Sequence, residues 1–476
     1  MSTYVNPGDV KSGLGLADGV VSELAWYVRF AVGDERGGSG DGVRVFAGHQ
    51  RRRGRGRQAG LDRVSVPRRA GSQPARGHRG ARGAGGRGAG LVNAESELAL
   101  QLDDIQAGAL QPRPTPYAGM YLGLRIDDAG DGRELLRRLV PLLDSVADFD
   151  SRKQRSLGVA LTFPGLAALG VPSKWLKSFP SQFPQGMAAR APFLRDVGEN
   201  APEHWEKPFG TGEIHMVICG LAPDANVLQP ARVLSDDAMR DLPGIAVVSH
   251  QEVSAGSNSY NWFGFRDSIS QPTIEGSGIE STNPLEVPFK AGEFVLGYRD
   301  ETGSAVRTPE PSVLGRNGTY VAFRKLHMRV AAFRQYVHDQ AQDAEGREWV
   351  AAKMVGRWRS GALLSLCPHA DDAELGADPA RNEDEGADRG LPFAFVGAHL
   401  DRQFVQKQWI DDGRFIGAPQ EKDPLVAGND GGKFTIPNEP IRRRLRGLPA
   451  FLVNRGGEYG FMPSLRALRW LADLET

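Results

Sequence analysis

The chain has 476 residues with 58 basic and 58 acidic side chains, so its formal net charge is zero. The length exceeds what one hydrophobic core usually supports, which predicts two core-forming units. No apolar run approaches the ~20 residues of a transmembrane helix, so we expect no membrane span. Two cysteines, Cys219 and Cys367, exclude a disulfide framework and a four-thiolate zinc site.

The charge is distributed unevenly along the chain. Residues 1–50 carry a net charge of −2, residues 51–90 carry +11 from 12 Arg and a single acid, and the remainder carries −9. The stretch 51–90 also contains 11 Gly and no aromatic residue. Because such a segment buries too little apolar area to offset its chain entropy, we predict a largely disordered extension over residues 1–94.

The Arg/Gly-rich stretch 51–90 suggests a nucleic-acid-binding arm, since basic segments release counterions from phosphates. It lacks the aromatic side chains on which bases stack. We therefore expect no nucleic-acid partner and interpret the stretch as a solvated extension. The first residues also lack a basic region followed by an apolar core, so the predicted location is cytoplasmic.

The first half of the predicted fold covers residues 95–255. Strands are predicted at 117–126, 157–163, 213–221 and 245–253. Helices are predicted at 131–143, where five leucines share one face, and at 225–239. The order β-α-β, β-α-β is typical of a ferredoxin-like unit, an antiparallel sheet with helices on one side.

The second half, residues 256–476, repeats this order. Strands are predicted at 294–298, 318–324 and 391–399, and helices at 328–342 and from residue 401. A hairpin is predicted over 449–462, with Gly456 and Gly457 in its turn. Ser464 is predicted to cap a final leucine-rich helix. The predicted fold class is therefore α+β, with two ferredoxin-like halves.

The most chemically suggestive segment is residues 261–272, NWFGFRDSISQP. It places Asp267 close to Trp262, Phe263 and Phe265, and a carboxyl group beside aromatic rings acquires the shifted proton affinity that acid–base catalysis needs. The alternative is a structural Asp that forms an Asx-turn between the two halves.

This segment resembles the GxxDG loop of dye-decolourising peroxidases, which is usually followed by Ile-Ser-Gln-Pro. Gly264 to Asp267 match the loop, and Ser268 replaces its second glycine. Further stretches resemble the family in the same order along the chain. They are 104–106, 161–166, 193–205, 317–320, 355–361, 378–382, 402–404 and 455–459.

The resemblance implies a haem b peroxidase that reduces hydrogen peroxide and oxidises an organic reductant such as a dye or a phenol. It assigns Phe265 and Asp267 to the haem-facing loop, with Asp267 as the distal acid–base residue. It implies no membrane partner and is compatible with a homo-oligomer. Arg357 and Arg359 are candidates for the distal positive charge, with a strand-edge role as the alternative.

One departure from the family concerns the iron ligand. The family carries its proximal His and distal Arg in segments that follow an Asp-Pro-x-Arg-Asn element, whereas here residues 382–385 run almost directly into 388–393. His399, in Gly-Ala-His-Leu, is the substitute candidate for haem binding and for the metal ligand. The alternatives are a hydrogen-bonded histidine at a helix start and, for the whole chain, a haem-free relative acting as a binding or assembly module.

Overall fold

A computed structural model gives the fold. It describes residues 27–30, 43–44 and 99–476, apart from 112–113, 115–116, 149–154, 255–259, 267–272, 280–286, 363, 365–368, 370, 372–389, 402–420, 437–440 and 476. The Arg/Gly-rich stretch 51–90 lies outside the described residues, so the prediction made for it stays a prediction. Among the described residues, no helix has both the length and the apolar character to cross a membrane.

The strands are numbered in chain order. They are β1 (Tyr27–Phe30), β2 (Val43–Arg44), β3 (Ala118–Ile126), β4 (Ser156–Leu161), β5 (Met216–Ala222), β6 (Ile245–Ser254), β7 (Thr319–Met328), β8 (Gly390–Gly397), β9 (Gly432–Ile436), β10 (Arg443–Leu448) and β11 (Leu452–Met462).

The α-helices of the described residues are numbered in the same way. They are α1 (Ala107–Leu110), α2 (Ala129–Leu139), α3 (Phe163–Ala168), α4 (Ser173–Leu176), α5 (Gln182–Ala189), α6 (Ala225–Met239), α7 (Ser312–Gly315), α8 (Val330–Gln340), α9 (Ala344–Val355) and α10 (Leu465–Ala472).

One sheet runs through both halves of the chain. In the described residues its order is β2-β1-β8-β7-β11-β4-β5-β3-β6, and all neighbouring strands are antiparallel. The strands of the two halves meet where Phe461 of β11 pairs with Leu161 of β4. A separate hairpin is formed by β9 and β10. The predicted α+β class is confirmed, with the two predicted sheets joined into one.

The main core lies between one face of this sheet and the helices. Met120, Leu122 and Leu124 of β3 are buried in the same cluster as Leu135 and Leu136 of α2. The alternation along β3 follows from the period of two in a strand, and the leucine spacing in α2 follows from the helical period. The opposite face of the sheet therefore carries the side chains at the intervening positions.

The predicted helix ends agree closely with the structure where a capping side chain is present. Asp224 accepts hydrogen bonds from two backbone N–H groups at the start of α6, and Ser464 accepts one from Ala467 at 3.1 Å. Each cap satisfies a backbone donor that the first helical turn leaves unpaired.

The predicted hairpin over residues 449–462 is wrong. Residues 452–462 form the single strand β11, and the register against β7 shifts between Asn454 and Gly456. The glycines are needed for packing and not for a turn. A Cβ atom on Gly456 would lie 2.5 Å from the Phe209 ring, and one on Gly457 would meet the sulfur of Met187. The structure thus uses Gly-Gly to let side chains approach the strand.

The predicted strand at 294–298 is also wrong. This segment follows a 3₁₀ turn, Ala291–Glu293, and contains Gly297 at φ +92°. Its apolar side chains, among them Val295 and Leu296, are buried without joining the sheet. A short apolar run is compatible with any buried segment, because periodicity alone does not distinguish a strand from a packed turn.

A buried ion pair links the loop after α5 to strand β7. Arg324 donates to both carboxylate oxygens of Asp196, at 2.7 and 2.5 Å, and the two side chains are 3% and 0% exposed. The backbone N–H of Asn454 donates to the side-chain oxygen of Asn200 at 2.7 Å in the same region. These contacts join residues of the first half to two central strands of the second.

Candidate functional site

The loop that leads to Asp267 is a tight turn built on Asn261. The N–H of Gly264 donates to the Asn261 carbonyl at 2.7 Å, and the Asn261 N–H donates to the Phe265 carbonyl at 2.9 Å. The Asn261 side chain accepts from the N–H of Phe265 at 3.2 Å. Gly264 has φ +85°, a conformation that glycine adopts without the strain of a side chain.

Arg359 contacts this turn from the segment after α9. Its guanidinium lies 4.5 Å from the centre of the Phe265 ring and donates to the Phe263 carbonyl. Its Nε donates to Glu348 at 2.9 Å, and its own carbonyl accepts from the N–H of Arg266 at 2.8 Å. The sequence offers two arginines for positive charge near the loop. The structure places Arg359 beside it.

Arg357 has a different position. Its guanidinium donates to the Gly361 carbonyl at 2.9 Å, which closes the short segment that follows α9. A single residue, Trp358, separates the two arginines along the chain, so the sequence alone does not distinguish them. Contacts with residues nearly a hundred positions away distinguish them.

Phe265 is buried in an aromatic cluster formed by Phe263, Phe265, Phe333 and Phe451, together with Met328 at the end of β7. The Phe263 and Phe333 rings are 4.7 Å apart, and Phe333 meets Phe451 edge-on at 5.5 Å. Phe265 is 4% exposed and Arg359 lies over its ring, and its predicted contact with haem stays a prediction.

Asp267 and Ser268 lie outside the described residues, so the role of Asp267 stays a prediction. The turn through Arg266 is described, and its backbone is tied to Arg359. The loop therefore reaches Asp267 from a rigid start, which is a condition for holding a catalytic carboxyl group in place.

His399 lies two residues after the end of β8. Its Nε2 is 3.5 Å from Oδ2 of Asp300, which is 4% exposed. The other oxygen of Asp300 accepts from the N–H of Thr302 at 2.9 Å and of Ser304 at 3.2 Å, so the carboxylate is held in place. His399 is thus paired with a carboxylate, and this contact was not predicted from the sequence.

The structure does not bring Phe265 and His399 together. The aromatic cluster includes Met328 at one end of β7, whereas Gly397, just before His399, pairs with Tyr320 at the other end. Eight residues separate Tyr320 from Met328, about 26 Å at ~3.3 Å per residue. Two of the residues predicted to contact haem therefore lie near opposite ends of β7, although neither belongs to it.

Comparison with known proteins shows what the chain resembles as a whole. No family model matches it. A dye-decolourising peroxidase of Mycena epipterygia is 29% identical over 478 residues, covering 79% of this chain and 87% of that protein. Peroxidase 2 of Mycetinis scorodonius is 26% identical over 472 residues, covering 79% and 88%. A multifunctional dye peroxidase of an Amycolatopsis strain is 25% identical, covering 80% and 97%.

Solved structures show the same likeness to dye-decolourising peroxidases. An ancestral D-type dye-decolourising peroxidase superposes with a TM-score of 0.66 at 25% identity, covering 78% of this chain and 99% of that one. The chain is therefore similar to dye-decolourising peroxidases over most of its length. Its fold is also that of the peroxidase from Auricularia auricula-judae, with a TM-score of 0.65 at 23% identity. Members of this family are haem peroxidases, and the α+β fold with ferredoxin-like halves is theirs.

The alignment with Peroxidase 2 contains gaps in this chain. It extends over 472 positions yet includes only 79% of this chain, so about a fifth of the aligned positions have no counterpart here.

Three described histidines of the second half lie away from the loop. His399 lies at the far end of β7, and the side chain of His338 is 61% exposed beside Asp339. His327 occupies a strand position that alternates with Leu326 and Met328, so its side chain points away from the aromatic cluster. Of these three histidines, none supplies an imidazole to the aromatic cluster that surrounds Phe265.

Replacing Gly264 by Ala is expected to destabilise the loop by about 1–2 kcal/mol, because a side chain at positive φ is strained. The new Cβ would also lie 2.6 Å from Nη1 of Arg359 and would displace it. Urea unfolding measures the change in free energy. Gly278→Ala is the matched control, since Gly278 also has positive φ but no atom lies within 4 Å of its Cβ position. Equal losses would mean that the Arg359 contact adds nothing.

Proposed function

We propose that this chain is a haem-dependent peroxidase that reduces hydrogen peroxide and oxidises bulky organic molecules such as dyes or phenols. The likeness to peroxidases along most of the chain supports this. The observation that carries it is the turn from Asn261 to Arg266, because it resembles the family loop and is tied to the half-buried guanidinium of Arg359.

Within this proposal Asp267 moves a proton between the two peroxide oxygens, as a general base and then as a general acid. Arg359 supplies the positive charge near the loop. Its contacts with the Phe263 carbonyl and Glu348 hold the guanidinium in place, so no reorganisation is needed when negative charge develops nearby.

His399 remains the proposed iron ligand. Asp300 supports this role, because histidines that bind metals usually donate their second ring nitrogen to a carboxylate or carbonyl. The separation along β7 means that a haem bound by His399 would lie far from Phe265. The proposed roles of Asp267 and His399 are therefore tested by separate substitutions.

A second candidate function is a haem-free relative that uses the same scaffold as a binding or assembly module. The specific observation in its favour is the packed aromatic cluster. The rings of Phe263, Phe333 and Phe451 contact one another directly, and none of His327, His338 and His399 reaches them from the described part of the second half.

Titration of the full-length chain with haemin, followed by absorption spectra with and without peroxide, distinguishes these functions. A peroxidase is expected to give a sharp Soret band that changes on adding peroxide, and to decolourise an anthraquinone dye. His399→Ala abolishes the band if His399 is the ligand, whereas His338→Ala leaves it unchanged. A spectrum identical to free haemin would overturn the peroxidase proposal and favour the haem-free module.

A further inference from the structure

A second candidate binding site lies on the face of the sheet opposite the helices. There, side chains at alternate positions of several strands enclose a cavity of about 130 Å³. On β3 the cavity is lined by Tyr121 and Gly123, which alternate with the core residues Met120 and Leu122. The aromatic cluster packs with Leu326 and Met328 and so lies on the helix side of β7. The cavity is therefore separate from the peroxidase loop.

The walls of this cavity combine aromatic rings with very small residues. Phe323 stacks on Phe209 at 5.7 Å and meets Tyr121 at 5.5 Å. Gly158 and Ala160 of β4 also line the cavity and add little side-chain volume. This apolar, ring-lined space, the slot, favours an aromatic guest.

The size of the slot limits the guest further. An apolar protein cavity of about 150 Å³ is enough to hold one benzene molecule. The cavity in this chain is slightly smaller, at about 130 Å³. A space of this size suits a single six-membered ring as a guest.

Glu458 of β11 supplies a hydrogen-bond acceptor in the lining. One of its oxygens accepts from the N–H of Gly210 at 2.7 Å, which fixes the orientation of the carboxyl group. Burial raises the pKa of Glu458 to about 7. A hydrogen-bond donor on a ligand stabilises a carboxyl group that lies in apolar surroundings.

Cys219 is another ionisable group of the lining. Burial raises the pKa of its thiol to about 12, and the Tyr121 hydroxyl hydrogen-bonds to it. The thiol stays protonated at neutral pH, so it offers neither a nucleophile nor a negative charge. Of Glu458 and Cys219, Glu458 is therefore the one that offers a strong hydrogen-bond acceptor to the polar end of a ligand.

We propose that this cavity binds a single-ring aromatic molecule with one hydroxyl group, the ring lying against Phe323 and the hydroxyl donating to Glu458. The site needs neither haem nor peroxide. It goes beyond the proposed peroxidase function, and it can be tested in the chain as purified.

The test compares phenol with benzene, which differ by one hydroxyl, by isothermal titration calorimetry of the full-length chain without peroxide. Both are expected to bind saturably, phenol about tenfold more tightly through its hydrogen bond. Glu458→Met should weaken the affinity for phenol by about tenfold and leave the affinity for benzene unchanged. Glu458→Gln keeps an acceptor oxygen, so its affinity for phenol should stay within about threefold of that of the unaltered chain.

Two variants locate the binding in the cavity. Ala160→Phe fills the slot and should abolish binding of both probes. Because Ala160 lies in an inner strand, where a large side chain can disturb folding, Ser249→Phe on the edge strand β6 provides a second way to fill the slot. His250→Phe, one residue further on and on the other face of β6, is the matched control and should bind like the unaltered chain. Three results would overturn the proposal. They are binding that survives in both filling variants, an equal loss of affinity for phenol and benzene in Glu458→Met, and an absence of saturable binding to the unaltered chain.

Discussion

Replacing Asp196 by Asn is expected to lower the free energy of unfolding by about 3–5 kcal/mol. The Asp196 side chain is completely buried, and it is the carboxylate to which Arg324 of β7 donates two hydrogen bonds. Asn keeps the shape of the side chain but removes its charge. The guanidinium then stays in a low-dielectric interior without its counter-charge, and that cost is much larger than the loss of one hydrogen bond.

Urea unfolding of the two single variants and a double variant measures this effect. Glu199→Gln is the matched control, since Glu199 lies three residues further on and pairs with Arg329, with the side chains 43% and 36% exposed. It should cost at most about 1 kcal/mol. Replacing both members of the buried pair, Asp196→Leu with Arg324→Met, should recover most of the loss, because a buried pair of apolar side chains carries no desolvation penalty. A loss below that of the control would show that the pair contributes little.

Replacing Asp267 by Asn is expected to reduce peroxidase turnover by about 10²–10⁴-fold, the usual contribution of a positioned acid–base group. Asn occupies nearly the same volume but cannot accept and return a proton. The fall should appear in kcat, with the Soret band unchanged, because the residue is proposed to move a proton and not to hold the haem. Steady-state rates of dye oxidation at saturating peroxide measure the change.

The control for this prediction is Glu275→Gln, a carboxyl group eight residues further on that is exposed and paired with Lys290. Its turnover should match that of the unaltered chain within a factor of about two, since surface ion pairs contribute little. Full activity in Asp267→Asn, combined with a Soret band that depends on His399, would mean that the reaction takes place away from the loop.

Elements with a clear local pattern were predictable from the sequence. The helix predicted at 225–239 is present as α6, Ala225–Met239, because Asp224 caps it and its apolar residues recur at helical spacing. Helix α9, Ala344–Val355, was missed. Its buried residues include Val350, Ala351 and Ala352 in a row, so burial on more than one side leaves no apolar stripe to recognise.

The candidate site was predictable only as a loop. The motif around Gly264 and Asp267 is contiguous, so it is visible in the sequence. The choice of Arg359 over Arg357 was not visible, because it depends on contacts with Phe263 and Phe265 from a distant part of the chain.

By itself, the sequence determined the fold class, the family resemblance and the loop that carries Asp267. Each of these depends on a local pattern or on the order of motifs along the chain. Only the tertiary structure decided that Phe265 and His399 lie at opposite ends of β7, and that Glu458 lines a separate cavity. The physical reason is that strand pairing joins residues far apart in sequence, and its register sets both the distance along a strand and the face on which each side chain lies.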